Sequence, residues 1–130
     1  MTGLFRIAFW GAAAFAFVMA VLPQPPQLPG QPSDKVQHIL AFAVLAALAR
    51  LAYRRVSLLA IGLSLCGFGA LIELVQMIPG LNRSAEWSDW VADTAAAAVV
   101  LALLALVLPA QERSRQSAQP NSRADSANQA

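Results

Sequence analysis

Four stretches of the chain are apolar for about the length a helix needs to cross a bilayer, and no other feature limits the fold as strongly. They run from about residue 5 to 22, 34 to 53, 56 to 78 and 89 to 108. Roughly 20 helical residues span the roughly 30 Å of hydrocarbon. In lipid, only a structure that satisfies its own backbone hydrogen bonds can cross, so runs of this kind form helices rather than open strands. Of the 130 residues, 58% are hydrophobic and only 12% are charged. A soluble domain carries about 25% charged residues. The expected fold is therefore all-α: an integral membrane bundle of four transmembrane helices with short loops, forming one domain over residues 1–109.

Punctuation along the chain agrees. Pro23, Pro25 and Pro26 end the first run and open an uncharged Pro-rich loop. The first run follows a basic residue, Arg6, as a secretory signal would, but it is long for a signal core and is read as a retained span. Ser33 is placed to cap the second helix, Pro79-Gly80 ends the third, and Leu108-Pro109 ends the fourth. From Ala110 onward the chain is Ser, Gln, Asn, Ala and Arg with no apolar face, which predicts a disordered tail over 110–130. Cys66 has no partner for an intrachain disulfide and reads as a small buried hydrophobe.

Charge sets the expected orientation. Arg6, Arg50, Arg54, Arg55, Arg113 and Arg115 fall on one side of an alternating bundle, while the other side receives only Lys35 and Arg83. The positive-inside tendency then makes both termini and the tail cytoplasmic. Trp87 and Trp90 suit the outer interface. Net charge is +2, but no basic helix or aromatic stacking platform accompanies it, so nucleic acid is not an expected partner. Membrane lipids are, and a homo-oligomer is left open.

Alternation also brings one end of three helices together: the start of the second, the end of the third and the start of the fourth. Asp34, Lys35, His38, Glu73, Gln76, Arg83, Asp89 and Asp93 all fall there. His38 and Asp93 each sit one turn inside a helix start, about 6 Å deep, and Glu73 lies about 7–8 Å before its helix ends. The spacings Asp34/His38, Lys35/His38, Glu73/Gln76 and Asp89/Asp93 put each pair on one face. Gly62 and Gly69 continue the Glu73/Gln76 stripe, and Ala95 to Ala98 lighten the fourth helix, both of which suit close packing. Ionisable groups inside a membrane are costly and mark functional sites. Structural roles remain open beside this: helix caps for Asp34 and Asp89, snorkelling for Lys35, a neighbour's hydrogen bond for His38, and an ion pair of Glu73 with Arg83 or Lys35.

These residues resemble the VanZ-like family of small polytopic membrane proteins. The resemblance is carried by Asp34-Lys35-x-x-His38-x-x-x-Phe42, by Glu73-x-x-Gln76, and by Arg83 followed by Asp89, and it covers about half the chain, from Asp34 to Asp93. Asp93 and Ala96 stand where the family usually has Asn and Gly. The resemblance implies a polytopic helical protein and, for the founding member, a link to teicoplanin resistance. It implies no defined reaction.

The expected function is a cell-envelope membrane protein whose outward-facing pocket binds the headgroup of a lipid or a lipid-linked cell-wall precursor. Lys35 and Arg83 would hold phosphate or carboxylate, and His38, Glu73, Gln76, Asp89 and Asp93 would orient hydroxyls or amides. The alternative is an intramembrane hydrolase or transferase with His38 as acid or base and Glu73 or Asp89 orienting it. Ser33, Ser84 and Ser88 supply hydroxyls without a nucleophile-elbow motif. A metal set of His38, Glu73 and Asp89 or Asp93 is a poor zinc signature, so no metal and no cofactor is expected. Proton-coupled transport would need an oligomer of so small a bundle.

Overall fold

The structure, a computed structural model, describes residues 1–117, with side-chain surroundings for 1–108. It is all-helical: α1 is Thr2–Val21, α2 Asp34–Ala52, α3 Leu58–Gln76 and α4 Trp87–Ser117. Each has a stretch long and apolar enough to cross a membrane, reaching Leu108 in α4. No strand occurs among the described residues. A single 3-10 turn, Pro79–Leu81, separates α3 from α4.

Local chemistry explains the boundaries. Ser33 caps α2 by accepting the Val36 amide, as expected, and Ser57 does the same for α3 with the Ala60 amide. The turn after α3 closes on Asn82, which is left-handed at φ 53°, a conformation its short polar side chain tolerates. The fourth helix departs from expectation. It does not stop at Pro109 but runs on to Ser117. Gln111, Glu112 and Arg113 are good helix formers that let the backbone continue past the proline. The expected disordered tail is thus helical in its first part, and its remainder, residues 118–130, lies outside the described residues.

Helix α2 is the centre of the bundle, packing on α1, α4 and α3, while α4 also lies along α3. One stripe on each inner helix makes the core. On α2 it is His38, Phe42, Leu45, Ala46, Ala49 and Ala52. On α3 it is Ile61, Leu65, Gly69, Ile72, Glu73 and Gln76. On α4 it is Asp89, Asp93, Ala97 and Leu101, at a spacing of four. All three stripes are polar at the same end and apolar beyond it. The outward faces carry Leu40, Val44, Leu63, Leu71, Val99 and Leu103, all exposed, as helices facing lipid require.

Helices in lipid gain nothing from the hydrophobic effect by touching one another, so association rests on close packing and hydrogen bonds. Gly69 supplies the closest approach. A Cβ there would sit 3.2 Å from Trp90 Cδ1 and 3.4 Å from Phe42 Cζ. The indole cannot easily yield, because Trp90 Nε1 donates to the Cys66 carbonyl at 3.0 Å. Trp90 is therefore a strut between α4 and α3 rather than the simple interfacial anchor its position suggested. Trp87 remains exposed and meets Trp90 edge to face at 6.1 Å.

Gly69→Val should lower the thermal unfolding midpoint in detergent, by about 1–3 kcal/mol of overpacking. Gly67→Ala, where nothing lies within 4 Å of the added carbon, should leave it nearly unchanged.

Candidate functional site

The eight residues expected to converge all lie at one end of the bundle, and three ion pairs or charged hydrogen bonds organise six of them. Each joins an element to a different one. Arg83 Nη2 donates to Asp34 Oδ2 at 2.9 Å, tying the α3–α4 loop to the start of α2. Lys35 Nζ lies 3.3 Å from Asp89 Oδ1 and donates to Ser88 Oγ at 3.1 Å, tying α2 to α4. One turn deeper, His38 Nδ1 and Asp93 Oδ2 are 3.2 Å apart. The outer two pairs are partly exposed, whereas His38 is 8% and Asp93 1% accessible.

Depth changes what each pair can do. Surface ion pairs contribute about 0–1 kcal/mol. The His38–Asp93 pair is enclosed by the helices, so losing one partner would strand the other in an apolar medium. Because Asp93 accepts at Nδ1, the neutral tautomer of His38 leaves Nε2 as an acceptor.

Glu73 is the unusual member. It is 2% accessible, and its carboxylate has no side-chain partner; the backbone N–H of Glu86 is the donor within reach. Neither Arg83 nor Lys35 pairs with it, which rules against the structural ion pair left open for Glu73: the two cations pair with Asp34 and Asp89. Glu73 lies within electrostatic range of His38, Asp89 and Asp93. Asp93 Oδ1 and Thr94 Oγ1 are likewise buried without partners. The interior of this end is therefore rich in unused acceptors.

Gln76 has a different place. Its Nε2 donates to the Ala20 carbonyl at 2.9 Å. That carbonyl is among the last four of α1, which have no partner inside their own helix. Gln76 thus closes α1 onto α3 through its amide nitrogen.

Two cavities flank the cluster. A polar depression of about 420 Å³ at the rim is lined by Ser33, Asp34, Lys35, Arg83, Glu86 and Asp89, among others. A second, of about 310 Å³, lies between α1 and α2 and is almost wholly apolar, with Phe15, Met19, Leu40 and Leu45 in its walls. Its polar end is Asp34, Gln37 and His38. Sequence reasoning missed Glu86 and Gln37 as members of this region. Glu86 precedes the helix by one residue, and Gln37 donates to the Pro32 carbonyl at 3.0 Å. Among the described residues no three His, Cys, Asp or Glu side chains converge closely enough to hold a metal ion.

Asp93→Ala and His38→Ala should each destabilise the bundle by about 3–5 kcal/mol if the remaining partner stays enclosed. A double-mutant cycle in detergent should return a coupling of about 0.5–3 kcal/mol. Lys35→Ala against Asp89→Ala should give a coupling below about 1 kcal/mol.

Comparison with protein-family models, with curated proteins and with solved structures returned no match. The likeness to the VanZ-like family therefore rests on the residues themselves.

Proposed function

We propose that this chain is a VanZ-like protein of the bacterial inner membrane that binds the headgroup of a membrane-embedded amphiphile at its exoplasmic rim. The observation that carries the reading is the cavity between α1 and α2, whose apolar walls end at Asp34, Gln37 and His38. A groove of that composition matches a molecule with a hydrocarbon part in the bilayer and a polar part at the rim. A lipid or a lipid-linked cell-wall precursor has this form. The arginine bias supports cytoplasmic termini and an outward polar end.

The geometry also favours one headgroup chemistry. Asp34, Glu73, Glu86, Asp89 and Asp93 outnumber Lys35 and Arg83 at this end, and both cations already hold carboxylates. A phosphate held by Lys35 and Arg83 would have to displace Asp89 and Asp34. The carboxylates that line the rim depression, Asp34, Glu86 and Asp89, instead call for donors, which hydroxyl or ammonium groups supply.

The second reading, an intramembrane hydrolase or transferase, is favoured by the His38–Asp93 pair. Asp93, rather than Glu73 or Asp89, orients the imidazole, leaving Nε2 to take a proton from water or a substrate hydroxyl. Ser88 is a poor nucleophile here, since its hydroxyl is engaged with Lys35 and Glu86.

Native mass spectrometry of the chain extracted from its own membrane tests both readings. The wild type should retain a polar lipid, and Ala41→Phe, which fills the groove, and Asp34→Asn, at its polar end, should each reduce retention several-fold. Equal retention in all three would overturn the binding proposal. Conversion of the retained lipid by the wild type but not by His38→Gln would establish the enzyme in its place.

A further inference from the structure

The opposite end of the bundle holds a third cavity, of about 460 Å³, between α1, α2 and α3. Phe9, Trp10, Ala13, Leu45, Ser64 and Phe68 are among its walls. Its few polar atoms are already used. Trp10 Nε1 donates to Tyr53 Oη at 2.9 Å, and Ser64 Oγ donates to the Ala60 carbonyl of its own helix at 2.8 Å. The walls therefore present hydrocarbon. Along α2 the cavity extends from Tyr53 to Leu45, eight residues or about 12 Å of helix. That is close to half of a hydrocarbon core of roughly 30 Å, the depth of one leaflet.

The mouth is cationic. The Arg6 guanidinium carbon lies 5.2 Å from the centre of the Tyr53 ring, beside the cavity opening. Arg54 and Arg55 follow Tyr53 directly and are exposed. None of the three is in an ion pair among the described residues. No Asp or Glu occurs in residues 1–33 or 50–72, the segments that build this end of α1, α2 and α3. Arg50 is occupied differently, donating from Nη1 to the Arg54 carbonyl at 2.8 Å, which holds the α2–α3 loop and the arginines on it.

We propose that this crevice is a binding site for an anionic phospholipid. One acyl chain lies between α1 and α3 against Leu45 and Phe68, and the phosphate rests among Arg6, Arg54 and Arg55. Charge complementarity selects the headgroup: a guanidinium pairs with phosphate through two parallel hydrogen bonds, and no carboxylate in these segments competes for it. The depth of the slot selects a single-leaflet acyl chain over a neighbouring helix, which would need a face running the full span. The site is separate from the polar end, since the two apolar cavities share only the enclosed Leu45.

The test uses the full chain purified in a neutral detergent, with phosphatidylglycerol and phosphatidylcholine of identical acyl chains as probes. Native mass spectrometry should show several-fold greater retention of phosphatidylglycerol, and that lipid should raise the thermal midpoint more than phosphatidylcholine. The preference should shrink at high salt. Replacing the three exposed arginines together (Arg6→Gln, Arg54→Gln, Arg55→Gln) should abolish the preference without changing the lipid-free midpoint. Ser64→Phe, and independently Ala13→Leu, should reduce retention of both lipids. Ala41→Phe, in the other groove, should leave the preference intact. Equal retention of the two lipids by the wild type, or a preference that survives the triple arginine variant, would overturn the proposal. So would a dimer that dissociates in Ser64→Phe while lipid retention stays unchanged, because the slot would then hold a second copy.

Discussion

A polar side chain enclosed among helices in lipid must find a partner within the protein, and this one requirement governs how the bundle is assembled. Water is not there to satisfy it, and apolar contact between helices gains little over contact with lipid tails. Hydrogen bonds and close backbone approach are then the specific forces left. In this chain both act mostly at one end. His38 joins α2 to α4 through Asp93, Gln76 joins α3 to α1 through the Ala20 carbonyl, and Trp90 joins α4 to α3 through the Cys66 carbonyl over Gly69. Between them these three bonds link all four helices.

Where the requirement is not met, the exception is informative. The enclosed carboxylate of Glu73 has no side-chain partner, and one oxygen of Asp93 has none. Leucine or isoleucine would fit the α3 stripe at position 73 without that cost, as Ile72 does beside it. A bundle evolved only to be stable would not keep unmatched acceptors there. The two ends of the molecule also differ in kind. One concentrates acids and already-paired cations over an apolar groove, and the other presents arginines without an ion-pair partner among the described residues over another groove. Each end is suited to a polar group of opposite character.

Much of this was legible in the sequence because membrane helices obey simple length and periodicity rules. The four spans, the Ser33 cap, and the gathering of Asp34 through Asp93 at one end follow from apolar runs of near-constant length and strict alternation. Pairing was not legible. Helical spacing places residues on a face but does not say which carboxylate on a facing helix a cation meets, so an ion pair of Glu73 with Arg83 or Lys35 stayed open until the structure paired those cations with Asp34 and Asp89. The bonds of Trp90 and Gln76 were not legible for a related reason: an indole or amide near a helix end suits the interface equally well, and only the packing at Gly69 and the open carbonyl of Ala20 show which partners they take. The continuation of α4 past Pro109 to Ser117 was not legible, because a proline removes a backbone donor and reads as a stop in sequence.

The central claim is that the polar end is kept for binding at the expense of stability, and Glu73→Leu addresses it most directly. Its thermal midpoint in lipid-free detergent should exceed that of the wild type, corresponding to about 1–3 kcal/mol of added stability for removing a buried carboxylate with no side-chain partner. In the same samples, retention of the native polar lipid should fall. A Glu73→Leu variant that is less stable than wild type, or that retains the lipid fully, would contradict the account.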